Sequence, residues 1–228
     1  MTKIEWCDKT VNPVMGCTYG CDYCYARKMN QRFKWIKDFE CPQFFHHRLQ
    51  RLYTKEPQII FINSMSDIAD WKPTWLSQVI TAIENNPQNT YLALTKRPSQ
   101  LTDDVYDCKP ENLWIGQTIT EMCGGKTFPE VIHPQVDFLS IEPLMGQIEL
   151  KLLGTNVKWV IAGAETGNRK GKVVPDPFWA GYIEGQCMGY KIPLFFKNSM
   201  KPIVDIFMVQ HWPEYIQEKH KKENRGGR

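Results

Sequence analysis

The sequence predicts an α/β fold with a parallel sheet in a single domain, and three observations lead there. Six apolar, β-rich runs of strand length recur along the chain, each ends on a polar residue, and a helical or loop segment follows each one. The runs are near-continuously apolar rather than alternating, which suits strands covered on both faces of a parallel sheet. The chain has 228 residues, 42% of them hydrophobic and 12% aromatic. It is therefore long enough for one domain with a full core, since α/β barrels run at about 200–250 residues.

The elements follow in order. QIIFINSMSD predicts a strand over 58–63, TYLALTKRP one over 90–96, and LWIGQTIT one over 113–119. DFLSIEPL gives 137–142, KWVIAGAETG gives 158–164 and KIPLFFKNS gives 191–197. Between them, YARKMNQRFKWIK reads as the first helix and PTWLSQVITAIENNP as a second. The latter has a Pro and Thr start and apolar Trp75, Val79, Ile80 and Ile83 at helical spacing. PFWAGYIEGQCMGY is a further helix ending before Gly189, whereas KTFPEVIHP has room for only a turn or two. With a short strand near Asn12 to Met15, the count approaches a partial (β/α)6 barrel over residues 1–205. A doubly wound open sheet is the alternative. Residues 206–228 form an amphipathic helix with a basic, Gly-rich tail.

Composition narrows the function classes. A net charge of +3 gives no strong global attraction to nucleic acid, and the tail is the exception. No run reaches the roughly 18–20 apolar residues of a membrane span, and MTKIEWCDKT lacks the apolar stretch of a signal peptide. The expected setting is cytoplasmic, with no membrane partner. Neither a Ser-His-Asp set nor a GxxxxGK[ST] loop offers a competing catalytic system.

Eight cysteines are many for a reducing compartment, and their distribution decides how they are read. Cys7, Cys41, Cys108, Cys123 and Cys187 are scattered and read as small core residues. Cys17, Cys21 and Cys24 stand together in CTYGCDYCYA with the spacing C-x3-C-x2-C. Three thiolates that close hold three irons of a [4Fe–4S] cluster and leave the fourth open to an exogenous ligand. Structural zinc would need a fourth ligand, commonly from a second C-x2-C-type pair, and no His lies nearer than His46 and His47. Gly16 and Gly20 give the loop the permissive dihedrals that wrapping a cluster requires.

Active sites of β/α barrels lie at the C-terminal ends of the strands, and here those ends are polar. They offer Asn63, Ser64 and Asp67, then Lys96, then Glu142, then Glu165, and finally Lys197. A charge at the end of an apolar run needs a partner, so several of Lys96, Glu142, Glu165 and Lys197 are expected to share a polar cavity. In AGAETG the backbone at Gly163 can approach a ligand closely, and Glu165 can accept from an ammonium or a ribose.

The cysteine spacing, with Tyr23 just before the last cysteine, resembles the signature of the radical S-adenosylmethionine (SAM) superfamily. IEWCDKTVNPVMGC, FINSMSDIAD, LSIEPLMG, WVIAGAETG and PLFFKNS are similar to a phage-associated three-Cys-motif family of unknown function, over roughly residues 3–198. The resemblance implies a partial radical SAM barrel with Cys17, Cys21 and Cys24 as cluster ligands and SAM on the open iron. Reductive cleavage would give a 5′-deoxyadenosyl radical that abstracts hydrogen from a substrate. Tyr23 would shield the cluster, while Asn63, Ser64, Asp67, Gly163 and Glu165 would contact SAM and Lys96, Glu142 and Lys197 would face the substrate. AGAETG is similar to the family's Gly-Gly-Glu string, but it follows about the sixth strand rather than the second and has Ala164 where a second Gly is usual. An electron donor such as a flavodoxin or ferredoxin is implied. The substrate reading leans to a nucleobase or nucleic acid, beside a small molecule, a peptide or help from a partner protein. A non-catalytic iron–sulfur or metal-binding module is the rival reading.

Overall fold

The computed structural model describes residues 4–120, 131–205 and 208–224. Its contacts divide the chain into two compact units, Met1–Ile115 and Gly116–Arg228. Both are α/β, and their principal strands run parallel.

The first unit opens on β1 (Lys9–Thr10), β2 (Val14–Met15) and α1 (Tyr25–Phe33), followed by β3 (Gln43–Phe44), β4 (Ile59–Phe61), α2 (Pro73–Glu84), β5 (Thr90–Thr95) and α3 (Asp103–Asp107). The strand β6 (Leu113–Thr118) begins in this unit and ends in the next. Strand order here is β1-β4-β5-β6, with β1–β4 and β4–β5 parallel. Ile59, Ile60 and Phe61 are all buried, as a strand covered on both faces must be. Trp6 packs on Phe61 at 4.8 Å between ring centroids.

The strand expected near Asn12 to Met15 is corrected in role. Val14–Met15 pairs antiparallel with Gln43–Phe44, and Lys9–Thr10 is the parallel strand beside β4. Pro13 is the physical reason, because it lacks an N–H for a ladder and its carbonyl instead accepts from Phe45 N–H at 2.7 Å. Helix α2 starts at Pro73 as expected, yet it buries Leu76, Val79, Ala82 and Ile83. Trp75 sits at the edge of that face and stacks on Phe44.

The second unit continues from β6 through β7 (Phe138–Ile141), β8 (Val160–Ala162), α4 (Pro177–Tyr190), β9 (Leu194–Phe196), α5 (Lys201–Val204) and α6 (Glu214–His220). Its order is β6-β7-β8-β9, all parallel. A Cβ on Gly116 would lie 2.6 Å from the Phe138 ring, so the strand carries glycine there to admit that ring. Trp159, Phe195 and Trp212 complete the aromatic core, with Trp159 Nε1–H donating to His211 O at 2.9 Å. Helix α4 runs through Gly189 to Tyr190, two residues beyond the expected stop, and closes on Lys191 in the left-handed conformation. Most of KTFPEVIHP and the last residues of the tail lie outside the described residues. Among the described residues no helix is long and apolar enough to cross a membrane.

Candidate functional site

The cysteine loop grows out of β2 and ends on α1 in the first unit. Gly16 has φ 108°, and a Cβ there would lie 2.8 Å from Pro42 Cα, so geometry and space both require glycine. Gly20, at φ 78°, makes the second turn. The loop backbone is tied by Gly16 N–H to Met65 O at 3.0 Å and Cys17 N–H to Phe39 O at 2.7 Å. Cys17 and Cys24 pack against the buried cluster of Met15, Ala26, Ile36, Phe39 and Met65.

Cys24 occupies the N-cap of α1, where its sulfur accepts from Arg27 N–H at 3.4 Å. Sulfur is a weak acceptor, and Ser, Thr, Asp or Asn caps better. Capping therefore does not account for a cysteine at this position.

The strand-end residues expected around SAM bond within the frame beside this loop. Asn63 lies at the end of β4, buried, with its carboxamide bonded both ways to Leu94 (2.6 and 2.9 Å). Ser64 exchanges hydrogen bonds with the Asn12 side chain and accepts at its carbonyl from Tyr25 O–H at 2.5 Å. Asp67 is buried and accepts from Ala69 N–H and Lys96 N–H, both at 2.9 Å. Lys96 Nζ lies 5.3 Å from the ring centroid of Tyr23 and 5.9 Å from that of Tyr19, a cation–π distance.

Two further residues complete the clamp and were not among the expected site residues. Asp70 accepts from Thr18 N–H (3.0 Å) and Thr18 O–H (2.7 Å) and pairs with Arg97 at 2.8 Å. Arg97 also donates to Thr18 Oγ1 at 3.0 Å, yet its Nε is buried without a hydrogen-bond partner. The signal available in the sequence was the Thr directly after the first cysteine and the Asp ending FINSMSDIAD.

These neighbours set the local electrostatics. Burial pushes the Cys17 thiol up to about 12, against a backbone hydrogen bond from Tyr19, and the carboxylates of Asp67 and Asp70 add to the rise. Burial also raises Cys21, opposed by the Lys96 ammonium. For Asp70, burial alone would act upwards, but the Thr18 hydrogen bonds and Arg97 outweigh it and hold the carboxyl below its ordinary range. A groove of about 340 Å³ beside the loop is lined by Cys21, Cys24, Arg27 and Lys28, among others.

The loop fits an iron–sulfur cluster in donor type, in its two glycine turns and in the orphan Arg97 N–H beside Cys17. The sulfurs themselves are not gathered around one point. Among the described residues no group of three or more His, Cys, Asp or Glu side chains is placed to hold a metal ion.

In the second unit the predicted residues form two ion pairs. Glu142, just past β7, meets Lys197 Nζ at 2.6 Å and accepts from Ser140 O–H at 3.2 Å. Gly163 lies beneath this pair, since a Cβ on it would be 2.7 Å from Glu142 Oε1 and 2.9 Å from Lys197 Cδ. The close approach expected at Gly163 is thus made by two side chains of the protein. Glu165 is buried and accepts a bidentate pair of bonds from Arg169 Nε (2.6 Å) and Nη2 (2.7 Å). Gly167, at φ 87°, turns the chain so that Arg169 returns to it. Arg169 was not among the expected site residues, because only that turn brings it back.

The chain belongs to a family described as protein of unknown function (DUF5131), whose sequence profile matches residues 1–225. No curated protein and no solved structure matches it.

Proposed function

We propose that the protein is a radical SAM enzyme built on a partial (β/α)6 barrel, with Cys17, Cys21 and Cys24 as the ligands of a [4Fe–4S] cluster. One observation carries this reading. Three half-buried thiols share a glycine-turned loop that hydrogen bonds with Met65, Asp70 and Arg97 fix beside the ends of β4 and β5. The chemistry such a cluster would supply when bound is one-electron reduction of SAM, breaking its C5′–S bond to give methionine and a 5′-deoxyadenosyl radical that would abstract hydrogen from a substrate.

The remaining steps belong to this chain's own residues. Asp70 holds the loop backbone at Thr18, Asp67 ties the segment after β4 to Lys96 N–H, and Arg97 brings a positive charge to Cys17. Cys17 and Cys21 are protonated at neutral pH in the absence of metal, and ligation releases those protons. Tyr19 and Tyr23 flank the Lys96 ammonium at cation–π distance and orient it beside the loop. The Glu142–Lys197 pair sets a proton acceptor 2.6 Å from a donor, an arrangement able to hold or move a proton at a substrate heteroatom.

Anaerobic reconstitution followed by reduction in the presence of SAM tests the reading. The protein should bind iron and sulfide, show the brown iron–sulfur absorbance, and release 5′-deoxyadenosine. The triple variant Cys17→Ala, Cys21→Ala, Cys24→Ala should do none of these while keeping its circular dichroism. A fully loaded cluster without 5′-deoxyadenosine would make the loop a redox or structural module instead. Unchanged absorbance in the triple variant would move the ligands elsewhere.

A further inference from the structure

The segment that leaves the cysteine loop, YARKMNQRFKWIK over residues 25–37, holds Arg27, Lys28, Arg32, Lys34 and Lys37 and no acid, in a chain whose net charge is only +3. Arg27 is paired with Glu40. Among the described residues Arg32, Lys34 and Lys37 make no ion pair, and all three are exposed.

The same segment displays a rigid aromatic platform. Helix α1 stops because Lys34 turns left-handed, with its N–H on Asn30 O at 2.7 Å. Buried Asn30 then clasps the next turn, donating to Ile36 O and accepting from Ile36 N–H, both at 3.0 Å. Ile36 is anchored in the core. Pinned at both ends, residues 30–36 hold Phe33 and Trp35 outwards, 50% and 41% exposed. Their rings stack at 5.1 Å and 18°, and the Arg32 guanidinium lies 5.1 Å from the Phe33 centroid.

Aromatic exposure by itself is not the signal. Helix α4 also shows a stacked pair, Phe178 and Tyr182, with Phe178 63% exposed, but Pro177–Tyr190 carries no cation and one acid, Glu184. What distinguishes the end of α1 is a stacked pair on a fixed backbone, with one exposed cation on its face and two more within four residues in the chain, none in an ion pair among the described residues. Exposed rings that stack bases, beside cations that track phosphates, are how single strands are bound without sequence preference.

We propose that the C-terminal end of α1 is a binding surface for single-stranded nucleic acid, with a base stacking on the Phe33–Trp35 pair and Arg32, Lys34 and Lys37 meeting the phosphates. Charge complementarity selects this occupant, because an apolar peptide would gain nothing from the three exposed cations of the segment. The nine residues of α1 put the platform about 13 Å from the cysteine that caps it, at 1.5 Å per residue. The surface stands independently of the cluster chemistry, and only the step that makes the bound strand a substrate rests on the proposed function.

Fluorescence anisotropy with labelled oligo-dT, oligo-U and duplex DNA tests it on the full chain, before and after reconstitution. The native protein should bind a single strand of one or both kinds, and more weakly as salt rises. The dT and U arms decide between DNA and RNA. Phe33→Ala with Trp35→Ala should weaken binding roughly tenfold or more. Arg32→Gln with Lys37→Gln should weaken it and flatten the salt dependence, while Phe178→Ala should leave it unchanged. Thermal melting confirms that each variant is folded. No binding of either strand at low salt would overturn the proposal. So would binding that ignores the loss of Phe33 and Trp35, or equal, ring-independent binding to duplex or to anionic phosphatidylglycerol vesicles. Loss of binding with 5′-deoxyadenosine still formed would sink this surface alone.

Discussion

The two units treat their strand-end polar residues differently. In the first, Asn63 and Asp67 bond backbone, Ser64 bonds Asn12, and Asp70 bonds Thr18 of the cysteine loop, with Arg97 as its ion-pair partner. In the second, Glu142 and Glu165 pair directly with Lys197 and Arg169. The sequence pattern is the same in both, an apolar run closed by a polar residue, but the physical solution is not. A loop of three cysteines has few side chains able to hold it, so the strand ends beside it serve as its frame. The second unit has no such loop among its described residues, and its charges satisfy one another. The first arrangement fixes backbone, whereas the second keeps charged groups in place and available to a ligand that could split a pair.

The sharpest way to break this contrast is Asp70→Ala. The Asp70 side chain is 7% exposed, and its loss removes two bonds to Thr18 and leaves Arg97 without its carboxylate. Removing one partner of a largely buried pair costs about 3 kcal/mol, a fall of roughly 6–12 °C in Tm for a chain of this size. Amide hydrogen exchange should rise in residues 16–24 and stay unchanged around Glu165. Equal acceleration in both regions would mean that Asp70 supports the whole protein rather than the loop.

Arg169→Ala is the counterpart in the second unit. It removes a bidentate guanidinium from a carboxylate that is only 6% exposed, at about 2 kcal/mol, because Arg169 itself is 23% exposed and water can replace part of what is lost. Exchange should rise in residues 163–169 and not in the cysteine loop. Acceleration in the loop would show that the two regions are energetically coupled.

Much of this was legible in the sequence, and the reason lies in which signals are local. Apolar runs placed all six main strands within two or three residues of their observed ends, because burial on both faces leaves little freedom in composition. Helices α2 and α4 began where Pro73 and Pro177 began them. The cysteine loop was legible because the spacing of its three cysteines is carried in eight residues. What escaped was long-range. Asp70 meets Thr18 across 52 positions, and the Lys9–Thr10 strand is too short and polar to announce itself. Phe33 and Trp35 fell within a helix prediction that ran to Lys37. Only the Lys34 turn and the Asn30 clasp bring the two rings into a stack outside the core.

The smallest effect tests whether the second unit's pairs are as close-fitting as they look. Gly163→Ala would place a methyl 2.7 Å from Glu142 Oε1 and 2.9 Å from Lys197 Cδ. Both atoms belong to flexible side chains that can shift, so the cost should be about 1 kcal/mol, the low end for an overpacked site. If the clash is with the carboxylate, Glu142→Ala opens the space, and the double variant should be more stable than the two single losses added together. Contacting residues couple in this way, whereas distant ones add. The cycle therefore reads out whether Gly163 is glycine for the sake of the Glu142–Lys197 pair. Strict additivity would detach the glycine from the pair and return it to the role expected from the sequence, close approach to a ligand.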